Sequence, residues 1–373
     1  MNSFKNLNFK SDYSINFRNF SDKIKKNKVY AIQAVKLNGY NLEFLKKNFN
    51  KDIEVISAAL NQNGYALEFV HDNLKKDKKI VLKAIKQNGY ALKYANKKLK
   101  NDKEIALKAV KKYCFALKFT GKKIRDNKKI VLEGIKQSGY TLKYASERLK
   151  KNKKVVLHAL KKNVLAILYC HLSLRKNKKF IIKAIKECNW GTFVGNIHKD
   201  LRKDKEVMIE AVRQWGMSLQ FAHKQLKKDK KIALTAVKQY CNSLEHVDRE
   251  LKKDKRIVLE AVKQNGYSLK YADEILKSDR DFVLRLVKVN GNALAYASPN
   301  LRKDKEIVFE AVQQNGNSLF YADKHLKKDK DVVLAAIKNN CYSIQYANKE
   351  LYKDKEIVFS SVKKDNYCLK FLN

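Results

Sequence analysis

Hydrophobic and polar residues form a pattern that repeats along almost the whole chain. One position within the recurring phrase EAVKQNG marks each copy, at Ala34, Ala59, Ala84, Ala109, Gly134, Ala159, Ala184, Ala211, Ala236, Ala261, Leu286, Ala311, Ala336 and Ser361. Consecutive copies are 25 residues apart, except for one step of 27 residues between Ala184 and Ala211. Repetition at such a period is typical of solenoids. We therefore predict an all-α fold, an α-solenoid of about fourteen 25-residue helix-turn-helix repeats.

The first half of each copy has the periodicity of an amphipathic helix. In the copy that covers 77–101, one apolar stripe is made by Ile80, Val81, Ala84 and Ile85. This spacing predicts a first helix over 78–88. Asp77 precedes it and is the predicted N-cap, because a short side-chain oxygen can accept the free amide hydrogens of the first turn. The cap position is Asp or Asn in every copy: Asn27, Asp52, Asp77, Asp102, Asn127, Asn152, Asn177, Asp204, Asp229, Asp254, Asp279, Asp304, Asp329 and Asp354.

The second half of the copy predicts a turn and another helix. Gly89 is expected to end the first helix as a left-handed C-cap. A second helix is predicted over 91–100, with four residues facing inward: Leu92, Tyr94, Ala95 and Leu99. Helices of about ten residues are marginal alone, so neighbouring copies must stack to cover their apolar faces.

The predicted array has irregularities that suggest domain boundaries. We divide the chain into an N-terminal lead-in or cap (1–22), a basic half (23–187), an irregular junction (188–203) and a less basic half (204–373). Gly191 and Gly195 interrupt the second helix at the junction, which is either a hinge or a harmless insertion. Pro299 is expected to shorten or kink another second helix. The chain stops within a second helix, so either its last turn frays or the uncapped C-terminus permits end-to-end self-association.

Charge changes this picture of a plain scaffold. Lys and Arg total 82 against 38 Asp and Glu, a net charge of +44. Residues 1–200 carry 47 basic and 15 acidic side chains, and residues 201–373 carry 35 and 23. Such an excess opposes compaction unless an anionic partner offsets it. The bias of an A/T-rich genome towards lysine is the alternative explanation, although it accounts less well for the few acids in the first half.

The chain lacks recognisable enzyme chemistry. It has no HExxH, no Walker-type loop and no GxSxG, so we expect no enzyme, no metal and no cofactor. Cys170-His171 is the only adjacent Cys/His pair, and we interpret Cys170 as a core residue; His246 is interpreted as a packed substitute for a core aromatic. The scattered cysteines indicate a reducing compartment such as the cytoplasm or the nucleus. No apolar run is long enough for a membrane helix, and the N-terminus lacks a signal-peptide core.

The lysine pattern is the remaining functional signal. Lysines recur beside the cap and on the first helix, so stacking should align them in rows. The candidate nucleic-acid-binding residues are Lys75, Lys76, Lys78, Lys79, Lys86, Lys103, Lys111, Lys128, Lys129, Lys136, Lys151, Lys153, Lys154, Lys161, Lys176, Lys178, Lys179 and Lys186. Lysines without acidic neighbours suit phosphates and do not read bases, so we predict non-enzymatic binding of nucleic acid, RNA slightly ahead of DNA, with little sequence specificity. The alternatives are a protein–protein interaction scaffold, an anionic membrane surface or acidic polymer, and a merely solvated face.

The consensus of the copies resembles a known repeat family. Clear examples are LKKDKKIVLKAIKQNGYALKYA at Leu74–Ala95 and LKKDKRIVLEAVKQNGYSLKYA at Leu251–Ala272. These are similar to the short tandem repeats classed as domain of unknown function 4116, which occur in proteins of protists, large DNA viruses of amoebae and some intracellular bacteria. The resemblance extends from about Ile24 to the end of the chain. It implies the helical repeat fold and no particular activity.

Overall fold

The computed structural model describes residues 20–188 and 191–371. These residues form α-helices and 3₁₀ helices, and no β-strand occurs among them. The chain divides into two compact units, Met1–Phe180 and Ile181–Asn373, called the first unit and the second unit below. The all-α repeat fold predicted from the sequence is confirmed. The predicted lead-in lies largely outside the described residues, as do two junction residues (189 and 190) and the last two residues.

Each repeat begins with a long α-helix, called the first helix. In the first unit these helices are Lys28–Leu37, Ile53–Gln62, Lys78–Gln87, Lys103–Lys112, Lys128–Gln137 and Lys153–Lys162. They are followed by Lys178–Cys188. In the second unit they are Lys205–Gln214, Lys230–Gln239, Lys255–Gln264, Arg280–Val289, Lys305–Gln314, Lys330–Asn339 and Lys355–Lys364. The predicted N-caps are confirmed at every copy, because each Asp or Asn side chain accepts an amide hydrogen of the first turn.

The predicted second helix is in fact two short elements. A 3₁₀ helix follows each first helix, at Gly39–Asn41 (continued by the α-helix Leu42–Phe49), Gly64–Phe69, Gly89–Tyr94, Cys114–Phe119, Gly139–Tyr144, Val164–Tyr169, Gly191–Asn196, Gly216–Phe221, Cys241–His246, Gly266–Tyr271, Gly291–Tyr296, Gly316–Tyr321, Cys341–Tyr346 and Asn366–Phe371. Most repeats then close with a single helical turn: Leu74–Lys76, Lys97–Lys100, Lys122–Arg125, Glu147–Lys150, Leu172–Arg175, Lys199–Lys203, Lys224–Lys227, Glu250–Lys253, Glu274–Lys277, Leu301–Lys303 and Lys349–Lys353. A similar turn, Asp22–Lys25, precedes the first repeat.

An extended residue separates the 3₁₀ helix from the closing turn. Ala95 has φ −64° and ψ 156°, so the backbone leaves the helix there. The next residue, Asn96, donates its amide hydrogen to the carbonyl of Lys75 in the preceding repeat at 3.0 Å. This hydrogen bond between repeats replaces one that a continuous helix would make within the repeat. Periodicity alone could not distinguish the two arrangements.

The same break explains why Pro299 produces no kink. The 3₁₀ helix Gly291–Tyr296 ends before Pro299, as the corresponding helices end in the other repeats. Pro299 therefore occupies the first position after the extended residues, where a missing amide hydrogen costs little. Of the two expectations, a short helix is observed and a kink is not, because the helix is not continuous in the other repeats either.

Gly89 is needed for close packing and does not form a left-handed cap. The preceding residue, Asn88, is extended (φ −147°, ψ 119°), and Gly89 opens the 3₁₀ helix. A Cβ atom at Gly89 would lie 2.3 Å from the carbonyl oxygen of Ala109 in the next repeat. The glycine is thus selected by the neighbouring repeat, which corrects the sequence-based interpretation.

Within each unit the core lies between a layer of first helices and a layer of 3₁₀ helices. First helices of consecutive repeats pack against one another, and so do consecutive 3₁₀ helices. The apolar stripe of the first helix is buried, and Leu92 and Ala95 are buried beneath it. Gln87 also joins repeats, since its amide donates to the Gln62 carbonyl and accepts from the Gly64 amide, both at 3.0 Å.

Candidate polyanion-binding surface

In the second unit, the basic residue after each cap is paired with the cap of the next repeat. These pairs are Lys205–Asp229, Lys230–Asp254, Lys255–Asp279, Arg280–Asp304, Lys305–Asp329 and Lys330–Asp354, with nitrogen–oxygen distances of 2.5 to 3.0 Å. We call this row the ion-pair ladder. It spans consecutive repeats, so the second unit uses these cations to bind its own caps.

Each cap carboxylate in the ladder caps its own helix and also pairs with the cation of the preceding repeat. Oδ1 of Asp279 accepts the amide hydrogen of Phe282 at 3.0 Å, while Oδ2 lies 2.6 Å from the ammonium of Lys255. The hydrogen bond from Lys255, and then that from the Phe282 amide, hold the pKa of Asp279 below its ordinary value. Both contacts favour the charged carboxylate, so the cap and the ladder stabilise one another.

Two lysines of the first unit are paired in the same way, although Ile53 interrupts the row between them. Lys28 pairs with Asp52 at 3.0 Å and with Glu54 at 2.9 Å. Lys78 likewise contacts Asp102 at 3.1 Å and Glu104 at 2.8 Å. The second acid lies two residues after the cap, so one lysine is compensated by two carboxylates.

The ladder is then broken over three consecutive repeats of the first unit. The caps that follow Lys103, Lys128 and Lys153 are Asn127, Asn152 and Asn177, and amide side chains carry no charge. The position two residues after each of these caps is a lysine as well: Lys129, Lys154 and Lys179. All six lysines are exposed, and among the described residues none of them has a carboxylate partner. We call them the unpaired lysine edge.

The edge lies at the N-terminal ends of three first helices and of the helix that begins at Lys178. Helix N-termini carry partial positive charge, so lysines there repel the helix dipole and one another. Anions are favoured at such ends for the same reason. The edge therefore concentrates positive charge where the fold itself supplies no compensating acid.

The other candidate lysines are placed in several different environments. Carboxylates lie near Lys75 (Asp72, 3.1 Å), Lys136 (Glu133, 3.1 Å) and Lys186 (Glu210, 3.7 Å), in addition to the paired Lys78. The expectation of lysines without acidic neighbours is wrong at these four positions, because helical spacing and repeat stacking bring acids to them. Lys76 is near the side-chain oxygen of Asn73 at 3.4 Å.

The remaining candidates are spread over turns and helix faces. Lys151 and Lys176 are exposed just before their caps, Lys161 is exposed on a first helix, and Lys178 is half-buried. Three more border a groove between first helices: Lys79, Lys86 and Lys111. The candidate lysines thus form two separate groups, the edge lysines at helix N-termini and the lysines that border the groove.

Sequence reasoning missed the ladder, although the signal was present. Each ladder cation precedes its acid by 24 residues. The lysine that follows the cap in one repeat therefore pairs with the cap Asp of the next repeat. Counting acids within one repeat conceals this pairing. Comparing the cap residue of each repeat with the lysine of the preceding repeat would have located the break at Asn127.

The cysteines and His246 are the other residues whose surroundings bear on chemistry. All six cysteines are free and buried, and burial raises the pKa of the Cys170 thiol to about 11. His246 is half-buried, and burial lowers the pKa of its ring. Within the described ranges, no three His, Cys, Asp or Glu side chains are grouped so as to hold a metal ion. No helix in these ranges is long and apolar enough to span a membrane.

Comparison with known proteins identifies the repeats. The family model described as a domain of unknown function (DUF4116) matches residues 30–75, 52–100, 77–125, 102–150, 127–175, 152–191, 177–227, 229–277, 279–327, 304–352 and 329–373. A comparison with curated proteins gives no match. The overlapping matches follow the register of the caps and cover nearly the whole chain from residue 30. The chain is therefore a member of the DUF4116 family, built from tandem copies of its repeat.

Proposed function

We propose that the protein is non-enzymatic and binds nucleic acid through the unpaired lysine edge. The observation that supports this is the break in the ladder, where the cap carboxylate is replaced by an amide over three consecutive repeats of one unit. Codon bias towards lysine would add lysines at many exposed positions. It does not explain why the uncharged caps Asn127, Asn152 and Asn177 are consecutive, whereas every cap from Asp204 to Asp354 is a carboxylate.

The chemistry of the edge favours phosphates over bases. Lysine ammonium groups act as point charges, and release of condensed counter-ions supplies the binding free energy. We place RNA ahead of DNA as the ligand, and we expect little sequence preference because phosphate contacts carry no base information.

A salt titration with matched variants tests this proposal. The edge variant Lys103→Gln/Lys128→Gln/Lys153→Gln and the control variant Lys205→Gln/Lys230→Gln/Lys255→Gln remove the same charge at the same repeat position. The logarithm of the RNA association constant falls as the logarithm of the salt concentration rises. With a mixed-sequence single-stranded RNA, we expect the edge variant to make this negative slope less steep by about 2. The control variant should leave the slope nearly unchanged, because its lysines are already paired. Equal effects of the two variants would reject the edge as the binding surface, as would an absence of RNA binding at about 50 mM salt.

An exposed aromatic cluster in the second unit favours a second candidate function, a protein–protein interaction scaffold. Tyr267, Tyr296 and Phe320 are 37%, 39% and 54% exposed. The Tyr267 ring contacts Tyr296 and Tyr321, and Phe320 contacts Tyr321 at a centroid distance of 5.1 Å. Exposed aromatic residues with few charges are typical of the centres of protein interfaces. A partner captured by the full chain after nuclease treatment, and lost in Phe320→Ser, would support this function; capture unaffected by Phe320→Ser would count against it.

A further inference from the structure

Two grooves lie between neighbouring first helices at equivalent positions of the repeat. The first-unit groove, between Lys78–Gln87 and Lys103–Lys112, has a volume of about 670 Å³. The second-unit groove, between Lys305–Gln314 and Lys330–Asn339, has a volume of about 880 Å³. Both have apolar floors, made of Leu82 and Ile85 in the first unit and of Phe309, Leu334 and Ala335 in the second.

The rims of the two grooves differ in charge. The first-unit groove is lined on both sides by lysines, with no acid among its lining residues: Lys79, Lys83, Lys86, Lys108, Lys111 and Lys112. Within the described chain only Lys108 of this set forms an ion pair, with Glu104 at 2.8 Å. The second-unit groove has Glu306 and Asp331 on its rims, and Lys305 pairs with Asp331 at 3.1 Å. The two grooves are therefore a matched pair that differs in rim charge.

We propose that the first-unit groove binds an acidic amphipathic helix of a partner protein. An apolar row on that helix would lie on Leu82, and Asp or Glu side chains flanking the row would pair with the lysines of both rims. This is the helix-in-groove mode of recognition, in which apolar anchors supply affinity and complementary charges fix orientation. A phosphate backbone has no apolar row to cover Leu82, so the combination of an apolar floor with two basic rims favours a peptide over a nucleic acid.

The length of the groove suits such a partner. Each first helix at its sides has ten residues and is therefore about 15 Å long. A partner helix of about three turns would cover that length and present apolar anchors at i, i+3, i+4 and i+7.

This site does not depend on the proposed nucleic-acid function. Lys83, Lys108 and Lys112 belong to the groove and not to the unpaired lysine edge, whose lysines lie at the N-terminal ends of their helices. Variants can therefore be chosen that alter one surface and leave the other intact.

The test uses the full chain and two synthetic peptides of identical composition. One peptide places Leu at i, i+3, i+4 and i+7 between flanking Glu residues, and the other has the same residues in an order without an apolar face. The ordered peptide is expected to bind about tenfold more tightly, which corresponds to the burial of one large apolar side chain. Equal binding of the two peptides, measured by fluorescence anisotropy, would overturn the proposal, because charge alone would then explain the interaction.

Three variants locate the binding. Leu82→Ser should weaken the ordered peptide about tenfold and leave both the scrambled peptide and RNA unchanged. Lys83→Gln/Lys112→Gln removes the charge of one half-buried and one exposed rim side chain and should weaken the ordered peptide without altering the floor. Phe309→Ser, the matched control in the second-unit groove, should have no effect. Binding that survives both first-unit variants, or that falls equally with Phe309→Ser, would reject the groove. RNA affinity measured on the same variants separates this failure from failure of the nucleic-acid proposal.

Discussion

The two units are built from the same repeat but differ in whether the basic residue after the cap is paired with an acid. In the second unit, the residue after the cap is paired from Lys205 to Lys330, and each pair joins one repeat to the next. In the first unit, Lys103, Lys128 and Lys153 have no such pair among the described residues, because the caps that follow them are Asn. The comparison shows that net charge alone does not identify a binding surface. A basic surface can bind an anionic partner when its lysines are not already paired with carboxylates of the same protein.

Repairing the broken ladder should have the largest effect on this comparison. A variant with Asn127→Asp, Asn152→Asp and Asn177→Asp, combined with Glu at positions 129, 154 and 179, would supply the two acids that Lys305 and Lys330 each contact in the second unit. We expect RNA affinity to fall at least about a hundredfold, because the phosphate contacts and their counter-ion release are removed. Thermal stability should rise, since each new surface pair adds up to about 1 kcal/mol.

The predicted fall in RNA affinity and the predicted rise in melting temperature together control for misfolding. A variant that bound RNA weakly because it was misfolded would melt at a lower temperature, not at a higher one. RNA affinity that is retained while the melting temperature rises would contradict the role of the edge.

Breaking the ladder of the second unit should have the next largest effect. Asp229→Asn, Asp254→Asn and Asp279→Asn keep a side chain that can cap and remove only its charge. Lys205, Lys230 and Lys255 then lose their partners, so we expect RNA to bind about tenfold more tightly at low salt. The melting temperature should fall slightly. Unchanged RNA affinity would show that unpaired lysines at this repeat position are not sufficient for binding.

Acid should weaken the second unit through its cap carboxylates. The pKa of Asp279 is lowered by Lys255 and the Phe282 amide, and that of Asp354 by Lys330 and the Ile357 amide. A lowered carboxyl pKa contributes stability that is present above the unfolded value, near 4, and is lost as the pH falls through the lower folded value. The first-unit caps Asn127, Asn152 and Asn177 cannot titrate. Hydrogen exchange followed by mass spectrometry from pH 6 towards pH 3 should therefore show the amides of Arg280–Val289 losing protection relative to those of Lys128–Gln137. Equal loss in the two helices would contradict the ladder's contribution.

The smallest expected effect is at His246. This residue occupies the aromatic position of its repeat; burial is the largest cause that lowers its pKa, and its buried Nε2 has no hydrogen-bond partner among the described residues. A lowered histidine pKa gives stability that is present above the unfolded value and is lost as the pH falls through about 6.5. His246→Phe should remove this contribution and flatten the melting temperature between pH 7.5 and pH 5. A wild-type melting temperature that rises on acidification over this range would contradict the assignment.

The sequence predicted those features that a single repeat determines. The apolar stripe at Ile80 and the cap at Asp77 depend on residues close in the chain, and both are confirmed. The features that were missed depend on the neighbouring repeat. The carbonyl oxygen of Ala109 leaves no room for a side chain at Gly89. The hydrogen bond from Asn96 to Lys75 accompanies the break after Tyr94. Asp102 forms the ion pair with Lys78. Each of these contacts is separated by about one repeat in sequence, so local periodicity could not show it.

The most direct test of the account is a lysine footprint of the complex with RNA. Acetylation of the full chain, with and without a mixed-sequence RNA, is measured by mass spectrometry at each lysine. We predict protection of the unpaired lysine edge at Lys103, Lys128 and Lys153, with no change at Lys205, Lys230 and Lys255. Uniform protection along both units, or protection confined to the second unit, would contradict the claim that the broken ladder is the binding surface.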